Sequence, residues 1–162
     1  MYLLDANAFM EADRHYYAFD LAPGFWTWLQ DPALADQVAS VEAIKQEITG
    51  GNAQLVDWAR ELRPEFWWQD DAGTVQAMGR LVRWATDSAR PYNQAAIDKF
   101  LASGDLRLIA HALASGATVV TREQSASDSK KNVKIPDACA AFGIACVDPF
   151  TAYRSMGLRL VA

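Results

Sequence analysis

The 162-residue sequence has few of the side chains that form cross-links or soft-metal sites. It contains two cysteines, Cys139 and Cys146, and two histidines, His15 and His111. The cysteines are seven residues apart, which is not the spacing of a CxxC pair, and the histidines lie far apart in the chain. The sequence therefore predicts two inert thiols and two ordinary histidines, not a disulfide, a zinc site or a nucleophilic catalytic pair.

Long apolar runs are also missing. No uninterrupted stretch approaches the roughly 20 residues that a membrane helix needs. The first residues carry no basic group, and Asp5 interrupts the first apolar run, so no signal peptide is expected. These absences predict a protein that makes no membrane contact, with the cytoplasm as its default location.

Basic residues are outnumbered by acidic ones. There are 15 Lys and Arg against 20 Asp and Glu, for a formal net charge of −5. This balance argues against a broad basic face that grips nucleic acid. It leaves open an acidic site whose charge is neutralised by divalent cations.

The most informative stretch is the first seven residues, MYLLDAN. An uninterrupted apolar run that ends in Asp5 is typical of a strand buried on both faces of a parallel sheet. Asp5 would then lie at the carboxyl end of a central strand, where open α/β sheets bind their ligands. The alternative is that Asp5 or Asn7 only caps the helix that follows.

Further strands are indicated by apolar runs at residues 37–40, 118–121 and 144–148, each with helical patterns before and after it. An edge strand at 158–161 is a further candidate, and the aromatic stretch 66–68 has no clear pattern. Alternating strands and helices predict an α/β fold, a three-layer α/β/α sandwich with a mainly parallel central sheet. We expect residues 1–162 to form a single domain.

Four acidic residues stand where this fold would bring them to one sheet edge. Asp5 ends the first strand, Glu47 lies late in the helix after Ser40, Asp105 opens a helix, and Glu123 follows the 118–121 strand. Each also has a simpler explanation, as a solvated helix face, a favourable charge at a helix N-terminus or a loop charge. Carboxylates that converge repel one another unless a cation compensates, and Mg²⁺ prefers oxygen ligands of this kind.

The order of these motifs resembles the PIN-domain family of nucleases. The resemblance is carried by LLDAN at residues 3–7, by Glu47 before Gly50-Gly51, by GDLRLIA at 104–110 and by TVVTRE at 118–123. The nearest likeness is to single-domain toxins of prokaryotic toxin–antitoxin pairs. The resemblance implies a PIN-like fold and metal-dependent hydrolysis of RNA phosphodiester bonds.

The resemblance also implies roles for individual residues. Asp5, Glu47 and Asp105 would hold one or two Mg²⁺ or Mn²⁺ ions, with Glu123 as the fourth catalytic carboxylate. The family often has Asp or Asn at the position of Glu123, so Asp128 in the same loop is an alternative. Glu42 likewise competes with Glu47. Asn7 and Thr121 would position water or the carboxylates.

Two kinds of partner follow. RNA phosphates would meet the basic residues near the site, Arg122, Lys130, Lys131 and Lys134, although solvated loop charge explains the lysines equally well. An antitoxin protein would cover exposed aromatic side chains, and a homodimer is a further candidate. We expect at least one of Trp26, Trp67 and Trp68 to be exposed, the alternative being burial of all three. The rival to an enzyme is a PIN-like binding module that has lost catalysis.

Overall fold

A computed structural model describes residues 1–161, which form an α/β fold around one sheet. Its five strands are all parallel, and their order across the sheet is β3-β2-β1-β4-β5. The strands are β1 (Tyr2–Leu4), β2 (Val38–Val41), β3 (Trp67–Trp68), β4 (Thr118–Val120) and β5 (Cys146–Val147). Helices flank the sheet, which confirms the predicted three-layer sandwich.

Nine α-helices connect and cover the strands in the described chain. They are α1 (Ala6–Glu11), α2 (Pro23–Gln30), α3 (Glu42–Ile48), α4 (Ala53–Glu61), α5 (Ala72–Thr86), α6 (Gln94–Ala102), α7 (Gly104–Ser115), α8 (Ile135–Ala141) and α9 (Pro149–Ser155). A π-helical turn at Ala12–Tyr16 continues α1, and single 3₁₀ turns lie at Pro32–Leu34 and Pro64–Phe66. None of these helices is long and apolar enough to cross a membrane.

The central strand is β1, as its apolar run predicted. Leu3 and Leu4 are both fully buried. They pair with β4 on one side, and Leu3 also pairs with β2 on the other. A strand hydrogen-bonded on both edges and covered on both faces needs this uninterrupted apolar sequence.

The direction in which the chain adds strands across the sheet reverses at β1. From β1 the chain proceeds outward to β2 and β3, and it then crosses back to β4 and β5 on the other side of β1. Loops that leave the carboxyl ends of β1 and β4 therefore diverge, and a crevice opens between them. Asp5 follows β1 and Thr121 follows β4, so both lie at the carboxyl edge of the sheet at this switch point, where they are buried.

Capping residues explain several of the helix ends. The Asn93 side chain accepts a hydrogen bond from Ala96 N at the start of α6. Gly116 ends α7 with φ +76°, a left-handed conformation that glycine adopts without strain.

Three sequence expectations about the edges of the fold are wrong or incomplete. Residues 158–161 form no strand. The aromatic stretch 66–68 supplies instead the short edge strand β3, which pairs with Ser40 and Val41 of β2. The strand predicted at 144–148 is reduced to Cys146 and Val147, and Cys146 is half-buried because β5 is an outer strand.

The tryptophans are more buried than predicted. Trp26 and Trp67 retain 3% and 2% of their exposure, and Trp68 is half-buried, so none of the three is exposed. The indole N–H groups of the buried rings find backbone acceptors, Tyr17 O at 2.7 Å for Trp26 and Ala59 O at 3.2 Å for Trp67. Burial is tolerated because the polar end of each ring is satisfied.

Candidate active site

Asp5 is buried at the carboxyl end of β1, with 1% of its surface exposed. Its Oδ1 caps α1 by accepting a hydrogen bond from Ala8 N at 2.7 Å. Its Oδ2 is buried and has no hydrogen-bond partner among the described residues. The two sequence interpretations are therefore compatible, since capping uses one oxygen and leaves the other for a ligand.

Burial raises the pKa of Asp5 to about 7. The adjacent Thr121 hydroxyl, which lies outside hydrogen-bond geometry to Oδ2, and the Ala8 N–H oppose this rise. The negative charges of Asp105 and Glu123 add to it. Asp5 is thus a desolvated carboxylate with two further acidic groups near it.

Asp105 lies in the first turn of α7 and is half-buried. Its pKa is also raised to about 7, first by burial and then by the charges of Glu123 and Glu47, while Lys134 and Lys99 lower it. Its carboxylate makes no hydrogen bond to the described residues. The four predicted acidic residues are therefore close enough for their charges to raise the pKa of Asp5 or of Asp105.

Glu47 is held at the N-terminus of α7. Its Oε1 accepts a hydrogen bond from Gly104 N at 2.5 Å, so α3 and α7 meet at this point. A Cβ on Gly104 would lie 2.8 Å from Ile44 Cδ1 and 3.0 Å from Glu47 Oε1, so an added methyl group would force these side chains to shift. Glu42 instead accepts a hydrogen bond from Gln69 Nε2 at 3.2 Å.

Glu123 is anchored beside the site. Its Oε2 accepts a hydrogen bond from Ile135 N at 2.9 Å, and its Oε1 lies 3.5 Å from Lys134 Nζ. The buried Thr121 hydroxyl accepts a hydrogen bond from Glu123 N at 3.0 Å. Asp128, the alternative, is exposed in the loop, so Glu123 is the one that the structure brings to Asp5 and Asp105.

Other predicted residues are placed differently. Asn7 is exposed on α1 and makes no side-chain hydrogen bond in the described chain. The Arg122 guanidinium contacts Glu11 and Tyr16, and it lies over the Tyr16 and Phe150 rings at 5.0 and 5.8 Å. Lys130 and Lys131 are exposed in the loop. Of the predicted basic residues, Lys134 lies nearest the carboxylates.

Sequence reasoning missed a cleft next to Glu47. Its volume is about 570 Å³, and residues of α3, α7 and the segment after β3 line it. Inside it, Asp70 Oδ2 accepts a hydrogen bond from Arg107 Nε at 2.9 Å, and Asp70 Oδ1 lies 3.1 Å from His111 Nε2. Asp70 follows a two-residue strand that has no periodic pattern, so the sequence carries no signal for this group.

A hard divalent cation fits the chemistry of this site. Asp5 Oδ2 is a buried oxygen without a partner, and the half-buried Asp105 carboxylate is near enough to raise its pKa. Mg²⁺ is commonly held by one or two carboxylates together with water and substrate phosphate. In residues 1–161, no three acidic, histidine or cysteine side chains are arranged as a metal-binding group.

Fold and site together define an all-parallel α/β/α protein with an acidic crevice at its topological switch point. The chain belongs to the family described as Domain of unknown function (DUF4411), whose profile matches residues 2–160. No curated protein and no solved structure matches the chain.

The raised pKa values predict that the metal-free protein loses stability as pH rises. In the folded state Asp5 and Asp105 titrate near 7 rather than at the usual 3.8, so the folded protein binds more protons than the unfolded one between these values. The free energy of unfolding should therefore fall from about pH 4 to about pH 7 and then level off.

Urea unfolding in EDTA at pH 5 and pH 8 measures this effect. Asp5→Asn keeps an oxygen that can accept the Ala8 N–H but removes the charge, and it should weaken the pH dependence. Asp20→Asn, an exposed control, should leave it unchanged. Equal stability of the wild-type protein at both pH values would contradict the burial argument.

Gly104→Ala should destabilise the fold by about 1–3 kcal/mol, because the added methyl group overlaps Ile44 and pushes on Glu47. Gly79→Ala on α5 is the matched control. The nearest atom to its added methyl group is Arg83 Nη1 at 3.7 Å, so the substitution should stabilise the fold by about 0.5–1 kcal/mol. Urea unfolding measures the free energy of unfolding of both variants. If Gly104→Ala stabilised the fold as much as Gly79→Ala, the contact with Glu47 would not be tight.

Proposed function

We propose that the protein is a metal-dependent endoribonuclease of the PIN type and the toxin of a toxin–antitoxin pair. The observation that carries the proposal is Asp5, a carboxylate 99% removed from solvent with one oxygen unpartnered. A buried charge of this kind is costly unless a cation or a proton compensates it. Its place at the switch-point crevice is where such folds bind ligands.

The arrangement of the other acidic groups supports the proposal. Asp105 and Glu123 raise the pKa of Asp5, and Glu47 raises that of Asp105. These are the four positions at which the chain resembles PIN nucleases. Groups with strongly perturbed pKa values gathered in a crevice are more typical of active sites than of a structural surface.

In this proposal Asp5 and Asp105 hold one or two Mg²⁺ or Mn²⁺ ions, with Glu47 as a further ligand. When bound, such ions supply Lewis-acid activation of water and of the phosphodiester. Gly104 N–H fixes Glu47, and Ile135 N–H fixes Glu123, so both side chains are oriented before substrate arrives. Lys134, beside Glu123, supplies positive charge for a substrate phosphate.

The second candidate is a PIN-like module that binds RNA or protein without cleaving. One observation favours it. Glu47 and Glu123 each accept a hydrogen bond from a backbone N–H and so have a structural role. The two candidates differ in whether the chain turns over RNA.

Single-stranded RNA should be cleaved by the purified protein with Mg²⁺ or Mn²⁺ and left intact in EDTA. Asp5→Asn should lower the cleavage rate by about 100-fold or more, because an amide is a poorer ligand for a hard cation. Gel analysis of end-labelled RNA measures this and should show 5′-phosphate products. Asp20→Asn should cleave like wild type, and cleavage that persists in EDTA or in Asp5→Asn would reject the mechanism.

The proposed toxin role requires an antitoxin that binds the protein. The tryptophans do not supply its surface, but other large apolar side chains are exposed, with Leu21 at 83%, Val161 at 84% and Leu160 at 45%. Leu160 packs beside Gly24, close to Leu21 in the chain. We propose that the antitoxin covers this apolar surface.

Synthesis of the wild-type chain in a bacterial host should arrest growth, whereas Asp5→Asn should not. A protein captured from the native host by Asp5→Asn should inhibit RNA cleavage by the wild type, and Leu21→Lys should weaken that capture. Val75→Lys, at another exposed apolar residue, is the control. Harmless synthesis of an active nuclease, or capture without inhibition, would contradict the toxin assignment.

A further inference from the structure

The cleft beside Glu47 is separate from the crevice at Asp5 but adjoins it. Ser103 lines this cleft and also the smaller depression that contains Asp105 and Glu123. The volume of the cleft beside Glu47, about 570 Å³, falls in the range of small-ligand sites. A strand of nucleic acid whose reacting phosphate lies at the carboxylates must extend across the surface next to them, and this cleft is one exit.

Arg107 is the basic residue in the lining of the cleft. Its Nε donates to Asp70 Oδ2 at 2.9 Å, while neither terminal nitrogen donates to any residue in the described range 1–161. The side chain keeps 41% of its exposure, so these nitrogens face solvent. A guanidinium held through Nε presents its free N–H groups as a fork that matches a phosphate.

The support behind Arg107 is built into the core. His111 is 95% buried, and its Nε2 lies 3.1 Å from Asp70 Oδ1. Its Nδ1 lies 3.3 Å from Thr74 Oγ1, and the single hydroxyl proton of Thr74 goes to Nδ1 when the neutral ring donates its Nε2–H to Asp70. Both carboxylate oxygens of Asp70 therefore have a partner, Arg107 on one and the buried His111 on the other. Because His111 fixes Asp70, the Asp70 carboxylate can orient the Arg107 guanidinium.

A simpler role for Arg107 is an ordinary ion pair on the surface. Arg60 and Asp57 on α4 form such a pair, 3.8 Å apart with both side chains about two-thirds exposed. Arg107 differs because its partner is also bound by a buried histidine and because the pair lines a cleft that reaches Glu47. Arg60 therefore serves as a matched control for charge and residue type.

We infer that Arg107, oriented by Asp70 and His111, binds a backbone phosphate of the RNA strand in this cleft, next to the phosphate that is cleaved. The inference rests on the proposed nuclease function and identifies the path of the substrate. Glu42, Glu47 and Asp70 also line the cleft, so it does not attract anions by its net charge. Arg107 supplies one directed contact, and the binding energy comes from that contact and not from a broad basic face.

The test measures binding separately from cleavage. Fluorescence anisotropy of a labelled single-stranded RNA in EDTA gives Kd over a series of KCl concentrations. Arg107→Gln should raise Kd roughly five- to tenfold at low salt and reduce the slope of log Kd against log salt by about 0.7, since one phosphate contact is lost. Arg107→Lys should restore the slope but only part of the affinity, because it keeps the charge without the fork.

Arg60→Gln should bind RNA with the affinity and salt slope of the wild type. If Arg107→Gln matches Arg60→Gln in both quantities while the wild type binds and cleaves RNA, the inference about the cleft is wrong and the nuclease function stands. If the wild type binds RNA with the predicted Arg107 dependence but cleaves none in Mg²⁺ or Mn²⁺, the nuclease function is wrong and the cleft assignment stands. Absence of RNA binding by the wild type would overturn the inference.

Discussion

The rest of the site depends on how Asp5 is buried. One carboxylate oxygen completes the first turn of α1, and that hydrogen bond fixes the side chain at the end of the central strand. The other oxygen lies in the same desolvated place without a partner. A residue that was only a cap would expose its free oxygen to water. Because this oxygen is buried, its negative charge is costly unless a cation or a proton compensates it.

Contacts between secondary-structure elements bring the other charged groups to this point. Ser40 donates a hydrogen bond to Leu4 O at 2.7 Å, which joins β2 to the end of β1 just before Asp5. The Glu47–Gly104 contact joins α3 to α7 and so places Asp105, the next residue, near Glu47. The site is thus assembled from residues distant in sequence by a few short polar contacts between well-packed elements.

Features with local causes could be predicted from the sequence, and features with tertiary causes could not. The apolar run before Asp5 indicated β1 because burial on both faces of the sheet restricts the residue types. Trp26 lies off the apolar stripe of its helix, yet it is buried, since Phe19 stacks on it at 4.1 Å and its N–H finds a backbone acceptor. The pairing of Asp70 with Arg107 joins residues 37 apart, and no local pattern reports it.

Whether Asp5 and Asp105 together bind a hard cation can be determined by diffraction from crystals soaked in Mn²⁺. Data collected near the manganese absorption edge locate the ion without reference to activity. We expect an anomalous peak within coordination distance of Asp5 Oδ2 and an Asp105 carboxylate oxygen, and no such peak in Asp5→Asn crystals. A well-ordered structure soaked in Mn²⁺ with no peak at these oxygens, or with a peak only elsewhere, would contradict the claim.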